Sequence, residues 1–142
     1  SIRLTQVQYI TKILAKYQMD TCNSVQTPVD PNVRLSRLPD DKSFPEIKSV
    51  YQNMIGSLLY AAITTRPDIS FAVQTLSQFN TNPGPEHLTA VKRVFRYLRG
   101  TINLGITYYS DLASALELFS DADWGSNPDS RRSITGYVAM FA

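Results

Sequence analysis

Residues 82–101 read NPGPEHLTAVKRVFRYLRGT, and this stretch predicts the best-defined helix of the chain. Pro85 falls near the first turn and Gly100 falls just past the end, which is the usual placement of these residue types around a helix. On a helical wheel one arc is apolar and contains Leu88, Val91, Val94, Phe95 and Leu98. The roughly opposite arc is cationic and contains Lys92, Arg93, Arg96 and Arg99.

The cationic arc has two interpretations. Four cations on one helix face can contact nucleic-acid phosphates, and each contact adds salt-dependent affinity. The same pattern is also typical of the solvated face of an ordinary amphipathic helix, and the pattern alone favours that second interpretation. His87, the single histidine of the chain, lies at the helix start without Cys or Asp neighbours at ligand spacing, so we expect it to be exposed to solvent.

The segment before this helix begins with another helix and a long loop. Residues 5–17 carry apolar side chains at helical spacing, and Thr5 and Gln8 fit a capping box in which each side chain bonds a backbone amide of the other residue. Residues 20–47 are rich in proline and polar side chains, which predicts a surface loop or linker without a core of its own.

Two further helices are predicted between the loop and residue 82. They cover residues 49–63 and about 68–80, and TTRP at 64–67 separates them because the residue before a proline avoids the helical region. Gly56 inside the first of them costs roughly 1 kcal/mol relative to alanine. We therefore expect another helix to pack closely over Gly56.

After Gly100 the apolar period changes from that of a helix to that of strands. The segments LGITYY (104–109), LELFSDADW (116–124) and SITGYVAMFA (133–142) predict three strands, and the loop at 125–131 makes the last two an antiparallel hairpin. Trp124 and Tyr137 are expected to pack in the core of that hairpin, although such rings can also stack on a base. Helices followed by antiparallel strands predict an α+β fold.

Asp121 and Asp123 are the candidate metal ligands. In a strand, residues i and i+2 project on the same side, and two carboxylates can then share a hard cation such as Mg²⁺. The alternative is that Asp123 caps the turn while Asp121 is simply exposed, and spacing alone favours this alternative. The spacing excludes a calcium loop of the EF-hand type, because Gly125, Ser126 and Arg132 stand where that loop needs a ligand, a glycine and a glutamate.

Composition excludes several other classes of protein. Cys22 is the only cysteine, so no internal disulfide can form, and no run approaches 18 consecutive apolar residues, so no membrane span is predicted. There is no glycine-rich phosphate loop, and Ser57 lacks the Gly-x-Ser-x-Gly context of a nucleophile. A basic middle followed by an acidic end indicates two functional zones. The 142 residues suit one domain or parts of two, and because the chain stops within a predicted strand we expect it to be a piece of a longer polypeptide.

Three phrases in a fixed order resemble the polyprotein of copia-type LTR retrotransposons. They are TRPDI (65–69), KRVFRYLRGT (92–101) and SDADW (120–124) with DSRRSITGYV (129–138) after it, and the resemblance covers nearly the whole chain. It implies the segment that leaves the reverse transcriptase and enters the ribonuclease H domain. Residues 1–100 resemble the helical thumb and connection, with a linker-like loop at 20–48. Residues 104–142 resemble the first antiparallel strands of an RNase H-like fold, truncated.

The resemblance also implies roles for the candidate residues. Asp121 matches the leading catalytic carboxylate, a Mg²⁺ ligand for two-metal hydrolysis of RNA in an RNA–DNA hybrid, and Asp123 is an accessory metal candidate. The cations Lys92, Arg93, Arg96 and Arg99 become candidate contacts to nucleic acid. The implied partners are template–primer nucleic acid, RNA–DNA hybrid and the remainder of the Pol polyprotein, with no membrane, and the implied location is intracellular.

The sequence lacks parts that both activities of this family need. The palm phrase Y-x-D-D is absent, and so are the further Glu and Asp residues of ribonuclease H. We therefore expect a chain that contributes to RNA-directed DNA synthesis and RNA removal but is inactive by itself. The alternatives are a non-catalytic nucleic-acid-binding remnant of a retrotransposon and a decayed gene fragment.

Overall fold

The structure, a computed structural model, describes residues 1–110 and 116–140. It contains helices and antiparallel strand pairs in separate stretches of the chain, an α+β arrangement, which confirms that part of the prediction. In chain order they are β1 (Ile2–Thr5), α1 (Val7–Lys16), α2 (Pro45–Thr64), a single 3-10 turn (Pro67–Ile69), α3 (Ser70–Ser77), α4 (Pro85–Gly100), β2 (Gly105–Tyr108), β3 (Glu117–Ala122) and β4 (Thr135–Met140).

The strands form two separate two-stranded sheets, β1 with β2 and β3 with β4. Contacts divide the chain into two compact units. One unit, called here the helical unit, is Leu4–Ile106. The other contains Ser1–Arg3 and the described residues from Thr107 onward.

The core of the helical unit is built from the apolar faces of its four helices. In α4 the predicted apolar arc is confirmed, since Val91, Val94, Phe95 and Leu98 are fully buried and Leu88 is partly buried. Burying such side chains stabilises a fold by about 1.5–3 kcal/mol each relative to leaving them exposed. α2 and α4 are the central helices, because each of them contacts the other three. No described helix has both the length and the apolar character needed to span a bilayer.

The start of α1 differs from the prediction. Thr5 belongs to β1, the N-cap of α1 is Gln6, and that cap has no side-chain hydrogen bond, so the predicted Thr5–Gln8 capping box was wrong. Strand pairing holds the backbone at Thr5 in an extended conformation, which moves the helix start to Val7. The Gln6 side chain instead accepts a hydrogen bond of 2.7 Å from the Thr65 hydroxyl.

Gly56 and the neighbouring boundaries also differ in part. A Cβ placed on Gly56 would meet no atom within 4 Å, and the residue is exposed, so the predicted close helix packing over it was wrong. The predicted helix at 68–80 is shorter, because Pro67–Ile69 form a 3-10 turn and α3 ends at Ser77. The long loop before α2 is confirmed, although it extends only to Phe44 because α2 begins at Pro45.

His87 is buried, with 1% of its surface exposed, so the expectation of a solvent-exposed histidine was wrong. Its ring stacks on Phe79 with a centroid distance of 4.0 Å. Nδ1 accepts a hydrogen bond of 2.9 Å from the Gly84 amide at the N-cap of α4, and Nε2 donates to the Ser36 carbonyl at 2.8 Å. The ring is therefore a structural bridge from the α4 start to the long loop.

The β3–β4 pair is the predicted antiparallel hairpin. Its register places Phe119 opposite Val138 and Asp121 opposite Gly136. Every residue of both strands is exposed. The expectation that Trp124 and Tyr137 pack in a hairpin core was wrong, since they are 98% and 80% exposed. Two strands alone have no second layer against which a ring can be buried.

Candidate functional site

The three arginines of the cationic arc bond the chain's own loop. Arg93 donates to the Thr27 carbonyl at 3.2 Å and to the Thr27 hydroxyl at 2.9 Å. Arg96 Nε donates to the Asn23 carbonyl at 2.7 Å. Arg99 donates to two further carbonyls of the same loop, those of Asp20 and Cys22, at 2.8 and 2.5 Å. The arc is therefore neither fully solvated nor fully open to a ligand.

These bonds give the arginines a defined local role. Loop carbonyls have no helix or sheet partner, and a guanidinium satisfies several acceptors at once in a fixed planar geometry. Arg93 also lies 3.8 Å from a carboxylate oxygen of Asp30. Lys92 is the exposed member of the arc, and no hydrogen bond or ion pair to it occurs within residues 1–110 and 116–140. Whether any of the four contacts nucleic acid stays a prediction.

A cleft of about 290 Å³ lies beside this arrangement, between the loop, α3 and α4. Its lining is mainly apolar and includes Pro28, Val29, Val33, Leu35, Ala72 and Leu76. The charged residues around it are Asp30, Glu86, Arg93 and Arg96, so carboxylates and guanidinium groups balance. A cleft with balanced charge gives no electrostatic attraction to a polyanion.

The Asp123 carboxylate is hydrogen-bonded to residues that form the turn of the hairpin. It lies one residue past the end of β3, and its Oδ1 accepts a hydrogen bond of 2.7 Å from the Ile134 amide. Its Oδ2 accepts a hydrogen bond from the Ser126 hydroxyl. The Ser126 bond, followed by the Ile134 bond, holds the pKa of Asp123 below its usual value. The turn-capping interpretation of Asp123 therefore describes its geometry.

Asp121 has a different environment from Asp123. It lies in β3, its residue is exposed, and no described residue is hydrogen-bonded or ion-paired to its carboxylate. It is thus the one carboxylate of the pair that is free to bind a cation. No group of three or more His, Cys, Asp or Glu side chains comes together in the part of the chain that the structure describes. Because two metals about 4 Å apart need several carboxylates, this donor set does not fit a two-metal site.

The buried ion-pair network around TRPDI (65–69) was not predicted from the sequence. Arg66 is completely buried and donates to both oxygens of Asp68 at 2.9 and 2.7 Å. It also donates to the carbonyl and the hydroxyl of Thr101 at 2.9 and 2.6 Å. Tyr97 donates to Asp68 at 2.8 Å, and its ring lies 5.6 Å from the guanidinium carbon. The network joins the 3-10 turn to the C-terminal end of α4.

The charges in this network shift two pKa values. Burial by itself raises the pKa of Asp68, but the hydrogen bonds from Arg66 and Tyr97 and the Arg66 charge outweigh it and lower that pKa. Burial and the bond to Asp68 raise the pKa of Tyr97. The sequence signal that could have identified the network is an arginine two residues before an aspartate around a proline, which permits a local fork-to-carboxylate contact.

Transposon Pol polyproteins are similar to this chain over most of its length. The retrovirus-related Pol polyprotein from transposon RE1 of Arabidopsis thaliana is 42% identical over 137 residues, covering 96% of this chain and 9% of that protein. The retrovirus-related Pol polyprotein from transposon TNT 1-94 of Nicotiana tabacum is 37% identical over 143 residues, covering 98% and 11%. The putative transposon Ty5-1 protein YCL074W of Saccharomyces cerevisiae is 35% identical over 143 residues, covering 99% and 45%.

These matches establish the family and confirm the resemblance seen in the sequence. The chain belongs to the copia-type retrotransposon Pol polyproteins. It spans 9% and 11% of the length of the two plant polyproteins. No protein-family model and no solved structure matches it.

Proposed function

We propose that this chain is the thumb and connection segment of a retrotransposon reverse transcriptase, followed by the first strands of a ribonuclease H domain. In that role the helical unit contacts template–primer duplex and RNA–DNA hybrid. The observation that carries the proposal is the similarity to transposon Pol polyproteins over 96% and 98% of the chain. The ordered phrases from TRPDI to SDADW supply the assignment to this part of the polyprotein.

The division of the chain supports the same assignment. The helical unit ends at Ile106, close to residue 104, where the RNase H-like segment is predicted to begin. The exposed hairpin that follows carries Asp121 with a free carboxylate. In a complete domain Asp121 would serve as a Mg²⁺ ligand, while Asp123 shapes the turn next to it. The described residues bring together too few carboxylates for two-metal hydrolysis, so we expect no turnover by this chain alone.

The proposal is tested by binding and cleavage assays on the purified chain. We expect fluorescence anisotropy to show binding to a labelled RNA–DNA hybrid that weakens as salt increases, because phosphate contacts release counterions. Single-stranded RNA of the same length should bind less tightly. Absence of hybrid binding at low salt would exclude a duplex-contacting thumb.

Cleavage is measured on the same hybrid with Mg²⁺, using Asp121→Asn as the matched variant. We expect no cleavage by either protein. Turnover by the unaltered chain that disappears in Asp121→Asn would show that these 142 residues already form a working nuclease.

A further inference from the structure

α1 carries two cations of the helical unit, Lys12 and Lys16, and residues 4–19 contain no Asp or Glu. Lys12 and Lys16 are exposed, and neither has a carboxylate partner among the residues described. The Lys16 ammonium lies over the ring of Tyr17, 5.1 Å from its centroid. These two positive charges are therefore not neutralised within the fold.

Helix spacing places both lysines on the exposed side of α1 that borders Tyr9. Tyr9 lies against α2, because its ring contacts the Tyr60 ring at 4.8 Å and its hydroxyl donates to the Ser57 carbonyl at 2.9 Å. Lys12 and Lys16 follow Tyr9 at spacings of i+3 and i+7, so they share its side of the helix.

The neighbouring surface of α2 continues without negative charge. Tyr60 and Ile63 are exposed by 52% and 74%, and Glu46 in the first turn is the only acidic residue of α2. An exposed tyrosine on α2 and unneutralised lysines on α1 together suit a polyanion, since the ring supplies contact area and a hydroxyl donor and the lysines supply charge.

The arginines of the cationic arc on α4 differ from Lys12 and Lys16 because they already make hydrogen bonds within the fold. The guanidinium groups of Arg93, Arg96 and Arg99 donate to the loop at residues 20–27, and the adjacent cleft is balanced in charge. A phosphate that approached those arginines would have to compete with existing hydrogen bonds. Lys12 and Lys16 face no such competition.

We propose that the α1–α2 face, defined by Lys12, Lys16 and Tyr60, contacts the phosphate backbone of the nucleic-acid duplex that the helical unit handles. This inference rests on the proposed function and assigns its contact surface. Charge complementarity selects the occupant, because a face that carries cations and no carboxylate attracts a phosphate backbone by long-range steering.

The test is a salt titration of hybrid binding by the full chain, measured by fluorescence anisotropy with a labelled RNA–DNA hybrid. The variants are Lys12→Gln and Lys16→Gln, singly and together. Each lost phosphate contact should reduce the slope of log affinity against log salt by about 0.9, and the double variant by about twice that. Lys48→Gln removes the same charge near the first turn of α2, about 18 Å along the helix from Tyr60, and is the matched control.

Each outcome decides the inference. Reduced slopes for the α1 variants, with the Lys48→Gln slope unchanged, support it. Unchanged slopes for the α1 variants overturn it while leaving the proposed function intact. A reduced slope for Lys92→Gln in that case would transfer the contact to α4. Failure of the unaltered chain to bind the hybrid overturns the proposed function and this inference together. Binding to an acidic peptide with the same lysine dependence, and not to the hybrid, would identify a protein partner instead.

Discussion

At the scale of single residues, Arg66 is the most constrained charge of the helical unit. A buried guanidinium is tolerated only when its donors are satisfied, and here Asp68 and Thr101 accept from all three of its nitrogen atoms. Thr101 is the C-cap of α4, where a cation is favourable because the helix dipole is negative. One residue therefore satisfies the end of a helix and anchors the turn that precedes α3.

Asp68 should make the stability of the helical unit sensitive to acid. Its folded pKa lies below the unfolded value of about 3.8, so its contribution is present above that pH and is lost as pH falls through the folded pKa. At neutral pH, Asp68→Asn leaves Arg66 without a counter-charge and should lower the free energy of unfolding by about 3 kcal/mol. This is the low end of the range for a broken buried ion pair, because the Asp68 side chain is one-third exposed.

The measurement is urea unfolding followed by far-ultraviolet circular dichroism between about pH 6 and pH 2. The difference in unfolding free energy between the unaltered chain and Asp68→Asn should shrink toward the acid end. A difference that stays constant over this range would show that Asp68 ionisation does not contribute to folding.

At the scale of elements, the arginines of α4 hold the loop that precedes α2 by hydrogen bonds to its carbonyls. Arg99 holds two carbonyls at once, and lysine has one compact ammonium in place of the planar fork. Arg99→Lys keeps the charge but should lose one hydrogen bond worth about 1 kcal/mol, which raises the open population of the loop about fivefold.

Cys22 provides the readout for this loop opening, because it is the only cysteine and is partly buried. Its rate of modification by a disulfide reagent should rise about fivefold in Arg99→Lys. Lys92→Arg, the reverse exchange on the same helix, is the control and should leave the rate unchanged. Equal rates in all three proteins would mean that Arg99 does not restrain the loop.

The same helix shows which features the sequence could predict. The apolar arc of α4 and the β3–β4 hairpin follow from local periodicity, which burial and strand pairing enforce directly. The arginines instead bond backbone carbonyls 66 to 79 residues earlier in the chain. Every residue has a backbone carbonyl, so the sequence does not indicate which one will accept the bond. The burial of His87 depends in the same way on the Ser36 carbonyl, 51 residues away.

At the scale of the whole molecule, the two units differ in how much surface they bury. The helical unit has a continuous core of buried side chains from all four helices. Both strands of the β3–β4 hairpin are exposed along their full length. A two-stranded hairpin without a covering layer is marginally stable in water, whereas a packed helical core gives cooperative protection.

Amide hydrogen exchange should therefore separate the two parts of this chain. Amides in α2 and α4 should exchange at least about a thousandfold more slowly than unstructured amides, and those in β3 and β4 less than about tenfold more slowly. Gly56→Ala is the internal control, because an alanine at this open, exposed helix position should stabilise α2 by about 1 kcal/mol and slow its exchange about fivefold. Exchange in the hairpin should stay the same in that variant. Hairpin amides as protected as those of α4 would show that these exposed strands are stabilised by contacts beyond their own pairing, and the Asp121 carboxylate would then already sit on a rigid support.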